Sequence, residues 1–207
     1  MVEPIKGRCG IVMSEQAIAA HYSQGELGRK ILNALTTLGA DPEHLDPDQI
    51  APLDEFHIGG RRATVELLDQ LDLRPGLRVL DVGSGLGGTA RYLARRHGVE
   101  VTGVDLTVEY VQVATSLTRR AGLAELVRFR QGSATTLPFP DESFDRACML
   151  HVGMNIVDKA ALFAEIPRRL TASRRTRRCR IPLCLSREAD WTLRTGFSAA
   201  ANRSPSR

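Results

Sequence analysis

The stretch from Arg78 to Gly88, RVLDVGSGLGG, constrains the fold more than any other part of the chain. A short apolar strand runs directly into glycines, and the residues that follow have the spacing of a helix. Glycine allows the backbone to turn tightly, and the first turn of a helix leaves N–H groups unpaired. The stretch therefore predicts a strand, a bare turn and a helix that together form one side of a ligand site.

The chain after Pro75 alternates between strand-like and helix-like segments, as is typical of a parallel sheet with helices on both faces. Strands are predicted over residues 78–82, 99–105, 127–131 and 145–150, and helices over 88–97, 107–121 and 155–169. The apolar face expected for the last helix consists of Ile156, Ala160, Phe163 and Ile166. We therefore expect an α/β fold with a Rossmann-like sheet.

The first 74 residues have the pattern of a helical cap. Helical spacing over residues 14–39 breaks near Ser23 and indicates two short helices, and residues 61–71 indicate another. Three prolines within residues 41–54 favour a loop with at most one short turn of helix. The chain is accordingly divided into a cap and lid (1–74), a core that contains the sheet (75–170) and an atypical tail (171–207).

Two acids beside the glycines indicate which ligand the turn receives. Asp105 ends the second predicted strand, twenty residues after Gly85, where a carboxylate can accept hydrogen bonds from both ribose hydroxyls of a nucleoside. The spacing of Gly83, Gly85 and Gly88 also fits a dinucleotide-binding fingerprint. Asp81, however, would repel the phosphates of a dinucleotide and attract the ammonium and sulfonium of S-adenosylmethionine (SAM). The pattern therefore favours SAM over NAD, and the simpler alternative is that the acids only cap helices and the glycines only turn.

Residues 14–170 resemble the class I SAM-dependent methyltransferases of the methyltransferase-11 group. RVLDVGSGLGG resembles their first SAM motif, VTGVDL the second, and RQGSATTLPFPDESFD the loop on the adenine side. AHYSQGELGRKIL, DEFHIGG and LHVGMNIVDK are most similar to enzymes that methylate amines, such as sarcosine and dimethylglycine N-methyltransferases. Phosphoethanolamine methyltransferases are more distant. The resemblance implies a class I methyltransferase sheet, SAM as cofactor and a small-molecule substrate, in particular an amine.

The resemblance also assigns glycines and acids of the chain to parts of SAM. Gly83 and Gly85 would pack under the methionine part, and Asp81 and Gly87 belong to the same cofactor-binding motif. Asp105 would hold the ribose.

On the adenine side, the resemblance places Leu106 beside the ring and Ser133 and Ala134 at its edge. Many relatives have Asp followed by Ala at these two positions, and Ser133 keeps the ability to form a hydrogen bond. In the N-terminal part, the segment from His57 to Gly60 resembles a lid over SAM.

Two residues are candidates for a catalytic role. His151 follows the fourth predicted strand, and ligands of parallel sheets bind beyond the carboxyl ends of the strands. An imidazole there could accept a proton from an amine or orient it, although a structural role is the alternative. Tyr22 stands where relatives often place an aromatic ring near the methyl group.

The tail after Leu170 departs from the family pattern. Turn glycines and alternating apolar strands are missing, and Arg, Ser and Ala dominate. A basic tail that contacts nucleic acid is one interpretation, and translation out of frame from a GC-rich gene is the one that we favour. The sheet is then expected to be incomplete at its C-terminal strands, although RIPLCL (180–185) could pair as an edge strand.

The composition agrees with a small-molecule enzyme. Eleven arginines and two acids from Pro167 onwards give that segment a charge of +9 and leave −5 for the residues before it, so the basic balance does not predict a nucleic-acid partner. The four cysteines lack the spacing of a zinc site. Neither a membrane span nor a secretory signal is recognised, so a cytoplasmic location is expected.

Together these patterns predict a SAM-dependent methyltransferase that acts on a small amine. The alternative is an inactive, truncated SAM-binding fragment. A nicotinamide-dependent oxidoreductase comes third.

Overall fold

Five parallel strands form one sheet in the order β3-β2-β1-β4-β5. The computed structural model describes residues 14–15, 26–55, 59–171 and 183–184. The strands are β1 (Arg78–Val82), β2 (Glu100–Asp105), β3 (Val127–Gln131), β4 (Arg146–Leu150) and β5 (Leu183–Cys184). The strand order reverses direction beside β1, and an open parallel sheet binds ligands at such a point.

The described helices lie before the sheet and in its crossovers. They are α1 (Leu27–Thr37), α2 (Pro47–Asp54), α3 (Gly60–Leu68), α4 (Gly88–His97), α5 (Val108–Arg120) and α6 (Lys159–Arg168). Short 3-10 turns span Asp69–Leu71 and Gly153–Asn155. The predicted α/β class and Rossmann-like sheet are confirmed, and β1, β3 and α4 have the predicted bounds.

Apolar side chains fill the space on both faces of the sheet. Val79 and Val101 pack with Leu93 of α4 on one face, whereas Leu80 and Val104 pack with Ile166 of α6 on the other. This alternation along the strands is what a sheet covered on both faces requires.

A third apolar cluster joins the N-terminal helices to the core. Ile31 and Leu35 of α1 and Ile50 of α2 pack with Leu117 of α5 and with Leu86, which lies inside the glycine-rich turn. The cap helices therefore rest directly on the turn that the sequence marks as the ligand site.

Two expectations about helices are wrong. The segment predicted as a loop contains α2, because the Asp46 side chain accepts a hydrogen bond from the Asp48 N–H and Pro47 occupies the first turn, where its missing N–H costs nothing. Helix α6 begins at Lys159 instead of near residue 155, since Asp158 caps it by accepting from the Ala161 N–H at 2.8 Å.

The face that α6 buries also differs from the prediction. Leu162 and Ile166 are buried, whereas Ala160 and Phe163 are exposed. The helical spacing was predicted correctly, and Ile166 is buried as expected. The buried face is shifted by one residue at Leu162, which takes the place expected for Phe163.

Candidate active site

A cavity of about 490 Å³ lies at the carboxyl ends of the strands. Seven of the residues chosen from the sequence line it, namely Gly83, Gly85, Asp105, Leu106, Ser133, Ala134 and His151. They come from four separate stretches of the chain, and the fold brings these stretches together around one cavity. The volume suits a ligand of cofactor size.

The glycine-rich turn after β1 is tied to the neighbouring strand. The N–H groups of Gly83 and Ser84 both donate to the Val104 carbonyl, at 2.8 and 3.0 Å. Gly83 has a φ of +73°, and a Cβ built on it would lie 2.5 Å from Cγ1 of Val152. Gly85 has a φ of +53° and open space where a side chain would project. The turn therefore needs glycine for its conformation and presents bare backbone to the cavity.

Asp105 is held against this turn through its carboxylate. Its Oδ2 accepts a hydrogen bond from the Gly85 N–H at 2.8 Å, and its Oδ1 accepts one from the Thr107 N–H at 2.9 Å. Burial raises the pKa of Asp105, against the opposing effect of the hydrogen bonds from Thr107 and Gly85. The carboxylate is fixed in orientation and retains further lone pairs for a ligand.

Asp81 lies beneath the turn, outside the described lining of the cavity. Strand register places it between Gly103 and Cys148, and Oδ1 accepts a hydrogen bond from the Cys148 thiol at 3.6 Å. Its Oδ2 is buried and has no hydrogen-bond partner in the described structure. Burial, opposed by the Cys148 hydrogen bond and reinforced by the carboxylates of Asp105 and Glu55, raises the pKa of Asp81 to about 7.

Two other predicted site residues, Gly87 and Gly60, are described and do not line the cavity. Gly87 precedes α4 with a φ of +87°, and a Cβ there would lie 2.5 Å from the Phe129 ring, so its glycine serves packing. Gly60 begins α3, away from the described lining. Tyr22 and His57 lie outside the described residues.

His151 follows β4 with a φ of +52°, a left-handed conformation that is uncommon for residues other than glycine. It is half-buried and lines the cavity beside Val152 and Asn155. Such conformations concentrate at functional sites, where the surrounding structure enforces them.

Ser133 forms a contact that the sequence did not indicate. Its hydroxyl donates to Oε1 of Glu15 at 2.6 Å, and the Thr135 hydroxyl contacts the same oxygen at 3.3 Å. Glu15 also lines the cavity, which places an N-terminal carboxylate beside the loop that follows β3.

Arg91 is a second residue that the sequence did not single out. Its side chain is 1% exposed, although arginine is rarely buried so completely. It pairs with Asp54 of α2 and donates to the Leu86 carbonyl at 2.9 Å and to the Thr118 hydroxyl at 3.0 Å. No local motif marks it, because the significance of Arg91 depends on partners far apart in sequence.

The profile of the methyltransferase domain family matches residues 80–173, which include the glycine-rich turn, Asp105, Ser133 and His151. This part of the chain is similar to that family. The family predicted from the motifs is thus confirmed.

Curated relatives that are named as N-methyltransferases match the same region. Phosphoethanolamine N-methyltransferase 1 of Arabidopsis thaliana is 41% identical over 105 residues, which are 51% of this chain and 21% of the relative. Glycine/sarcosine/dimethylglycine N-methyltransferase of Actinopolyspora halophila is 33% identical over 121 residues, which are 56% of this chain and 21% of the relative. The chain spans less than half the length of these relatives.

A solved structure supports the fold assignment independently. A geranyl diphosphate methyltransferase in complex with SAM superposes with a TM-score of 0.53 at 27% identity, over 60% of this chain and 50% of that one. Among the described residues of the present structure, no group of three or more metal-binding side chains occurs. Within the same ranges, no helix has the length and apolar character needed to cross a bilayer.

Proposed function

We propose that this chain binds SAM and transfers its methyl group to a small molecule that carries an amine. The observation that carries the proposal is the Asp105 carboxylate, which is fixed against the N–H of Gly85 in a cavity of cofactor size. An acid in this position is suited to the two hydroxyls of a ribose, and the bare turn beside it is suited to the rest of the cofactor.

The residues present fit SAM better than a dinucleotide. Gly85 leaves open space in the cavity wall, and the buried Asp81 beneath the turn has an oxygen without a partner in the described structure. A cation near the turn would favour the ionised form of this carboxyl, whereas a phosphate would be repelled by that form. SAM supplies an electrophilic methyl group on sulfur when it is bound.

Under this proposal, Gly83 and Gly85 lie under the methionine part and Asp105 holds the ribose. Leu106 flanks the adenine, and Ser133 and Ala134 lie at its edge. His151 contributes to the acceptor side, where an imidazole can take the proton of an attacking amine or hold the amine in place. Precise alignment of the reacting groups supplies much of the rate in such transfers. The names of the relatives that share the domain favour an amine as acceptor.

Calorimetry on the whole chain tests cofactor binding. S-adenosylhomocysteine (SAH) should bind, and Asp105→Asn should weaken binding at least roughly tenfold, because a charge-assisted hydrogen bond to the ribose is lost. The exposed Asp72→Asn is the matched control and should bind as the parent does. Binding of NADH in place of SAH, or full affinity in Asp105→Asn, would overturn the proposal.

A methyl-transfer assay then tests the acceptor class. Glycine, sarcosine, dimethylglycine and phosphoethanolamine are the substrates to compare, with an alcohol of similar size as the non-amine control. Turnover on an amine supports the proposal.

Binding of SAM without turnover is the second candidate function. It is favoured by the sheet itself, in which β4 pairs on its outer side with only the two residues of β5 within the described structure. SAH binding together with no transfer to any acceptor of the panel would support this alternative.

A further inference from the structure

Glu15 places a carboxylate in the lining of the cavity, on the side formed by the loop after β3. Both Glu15 and the neighbouring Ser14 line the cavity. The carboxylate is held there by hydroxyls, through Ser133 at 2.6 Å and Thr135 at 3.3 Å, both on Oε1. Glu15, Ser133 and Thr135 thus form one wall of the cavity, and the hydrogen bond between Glu15 and Ser133 joins residues 118 positions apart in sequence.

Ser133 forms hydrogen bonds with Glu15 and with Thr135 on this side of the cavity. Its hydroxyl oxygen accepts from the Thr135 N–H at 3.2 Å, and a hydroxyl has a single hydrogen to donate. In the hydrogen bond to Glu15 at 2.6 Å the Ser133 hydroxyl is the donor, and in its 2.8 Å contact with the Thr135 hydroxyl either oxygen can donate. Both hydrogen bonds of Glu15 that involve described residues end on Oε1, so Oε2 is the oxygen that we assign to a ligand.

The same wall is joined to the residue that we assign to the ribose. The Gly132 N–H, immediately before Ser133, donates to the backbone carbonyl of Asp105 at 2.9 Å. A nucleoside whose sugar is held by Asp105 would extend its base along Leu106 and Ala134, which line the cavity between them. The exocyclic amine of adenine is a donor, whereas hypoxanthine has a carbonyl oxygen at that position.

We propose that Glu15 recognises the base of the cofactor by accepting a hydrogen bond from the exocyclic amine of adenine. This inference rests on the proposed function, since it takes SAM as the ligand. Ser133 and Thr135 act as positioning residues that hold the carboxylate. The N-terminal segment thus supplies a determinant of base specificity that the loop after β3 itself lacks.

A comparison of SAH with its inosine analogue, in which a carbonyl replaces the exocyclic amine and N1 carries a hydrogen, tests the proposal. The parent chain should bind SAH at least roughly tenfold more tightly than S-inosylhomocysteine, because the inosine carbonyl would face a carboxylate. Glu15→Gln should bring the two affinities within about twofold, since an amide can both donate and accept. Glu125→Gln, an exposed change outside the cavity, is the control and should keep the preference.

A rescue variant separates recognition from a general loss of structure. Ser133→Asp in a Glu15→Ala background returns a carboxylate to the same wall and should restore the preference for adenine. If the parent binds neither ligand, the proposed function fails. If SAH binding depends on Asp105 but Glu15→Gln keeps the preference, or the parent shows none, this inference alone is overturned.

Discussion

The guanidinium of Arg91 forms an ion pair with the carboxylate of Asp54, and each side chain is only 1% exposed. Asp54 ends α2, and its Oδ1 would lie 2.5 Å from a Cβ placed on Gly88, the first residue of α4. Because Arg91 also donates to the Leu86 carbonyl, one side chain connects the cap helices to the glycine-rich turn. We infer that the position of the turn depends on this buried pair.

Replacing Arg91 by Met should lower the free energy of unfolding by about 3–5 kcal/mol, because the Asp54 carboxylate would remain buried without its partner. Urea denaturation measures the change. Arg62→Met is the control, since Arg62 pairs with Glu66 on the surface and its loss should cost less than about 1 kcal/mol. Replacing both members of the buried pair by apolar residues should recover part of the loss. Equal effects of the buried and surface changes would contradict this account.

Gly83→Ala should weaken SAH binding at least roughly tenfold. Its Cβ would collide with Val152, and its positive φ disfavours any side chain at a cost of about 1 kcal/mol. Gly122→Ala is the matched control, because Gly122 has a φ of +69° and open space around a built Cβ. Both variants should lose some stability, but only Gly83→Ala should lose affinity in calorimetry. If Gly83→Ala kept full affinity for SAH, the glycine-rich turn would not need its present position to bind the cofactor.

His151→Asn tests the role of the imidazole without disturbing the backbone. Asparagine adopts positive φ more readily than most residues, so the turn after β4 should persist. If His151 accepts a proton from the amine, turnover should fall about 10²-fold while SAH affinity stays within about twofold. The limb of the pH–rate profile that reports a base should also disappear.

His44→Asn, on the surface beside Asp41, is the control for His151→Asn. It should leave turnover and the pH profile unchanged. An unaltered turnover number in His151→Asn would assign His151 a structural role.

Much of the sheet and of the cofactor side of the site could be predicted because their signals are local. The strand, the glycines and Asp105 follow one another at spacings that the chemistry of the ligand dictates, and β1 has the predicted bounds. Glu15 and Arg91 could not be found in this way, since each acquires its role from partners distant in sequence. Helix α2 was missed because prolines mark loops in general, whereas Pro47 sits in the first turn, where it favours a helix.

The raised pKa of Asp81, about 7, makes stability depend on pH in a direction opposite to that of a paired surface acid. Between roughly pH 4 and 7 the folded chain keeps the proton on this buried carboxyl, whereas the unfolded chain releases it. The free energy of unfolding should therefore fall as the pH rises through this window, by up to roughly 1.4 kcal/mol per pH unit for this group, and level off above it.

Chemical denaturation of the parent and of Asp81→Asn between pH 5 and 8 measures this contribution as the difference between the two curves. Asp81→Asn should gain stability relative to the parent as the pH rises. Asp145→Asn is the opposite case: burial opposes ionisation of Asp145, but hydrogen bonds from Arg78 outweigh burial and lower its pKa. The contribution of Asp145 is present above its unfolded pKa and is lost as the pH falls, so Asp145→Asn should lose stability at pH 7. Parallel curves for the parent and Asp81→Asn would mean that Asp81 does not change its protonation in this range, and that burial beneath the glycine-rich turn does not hold its proton.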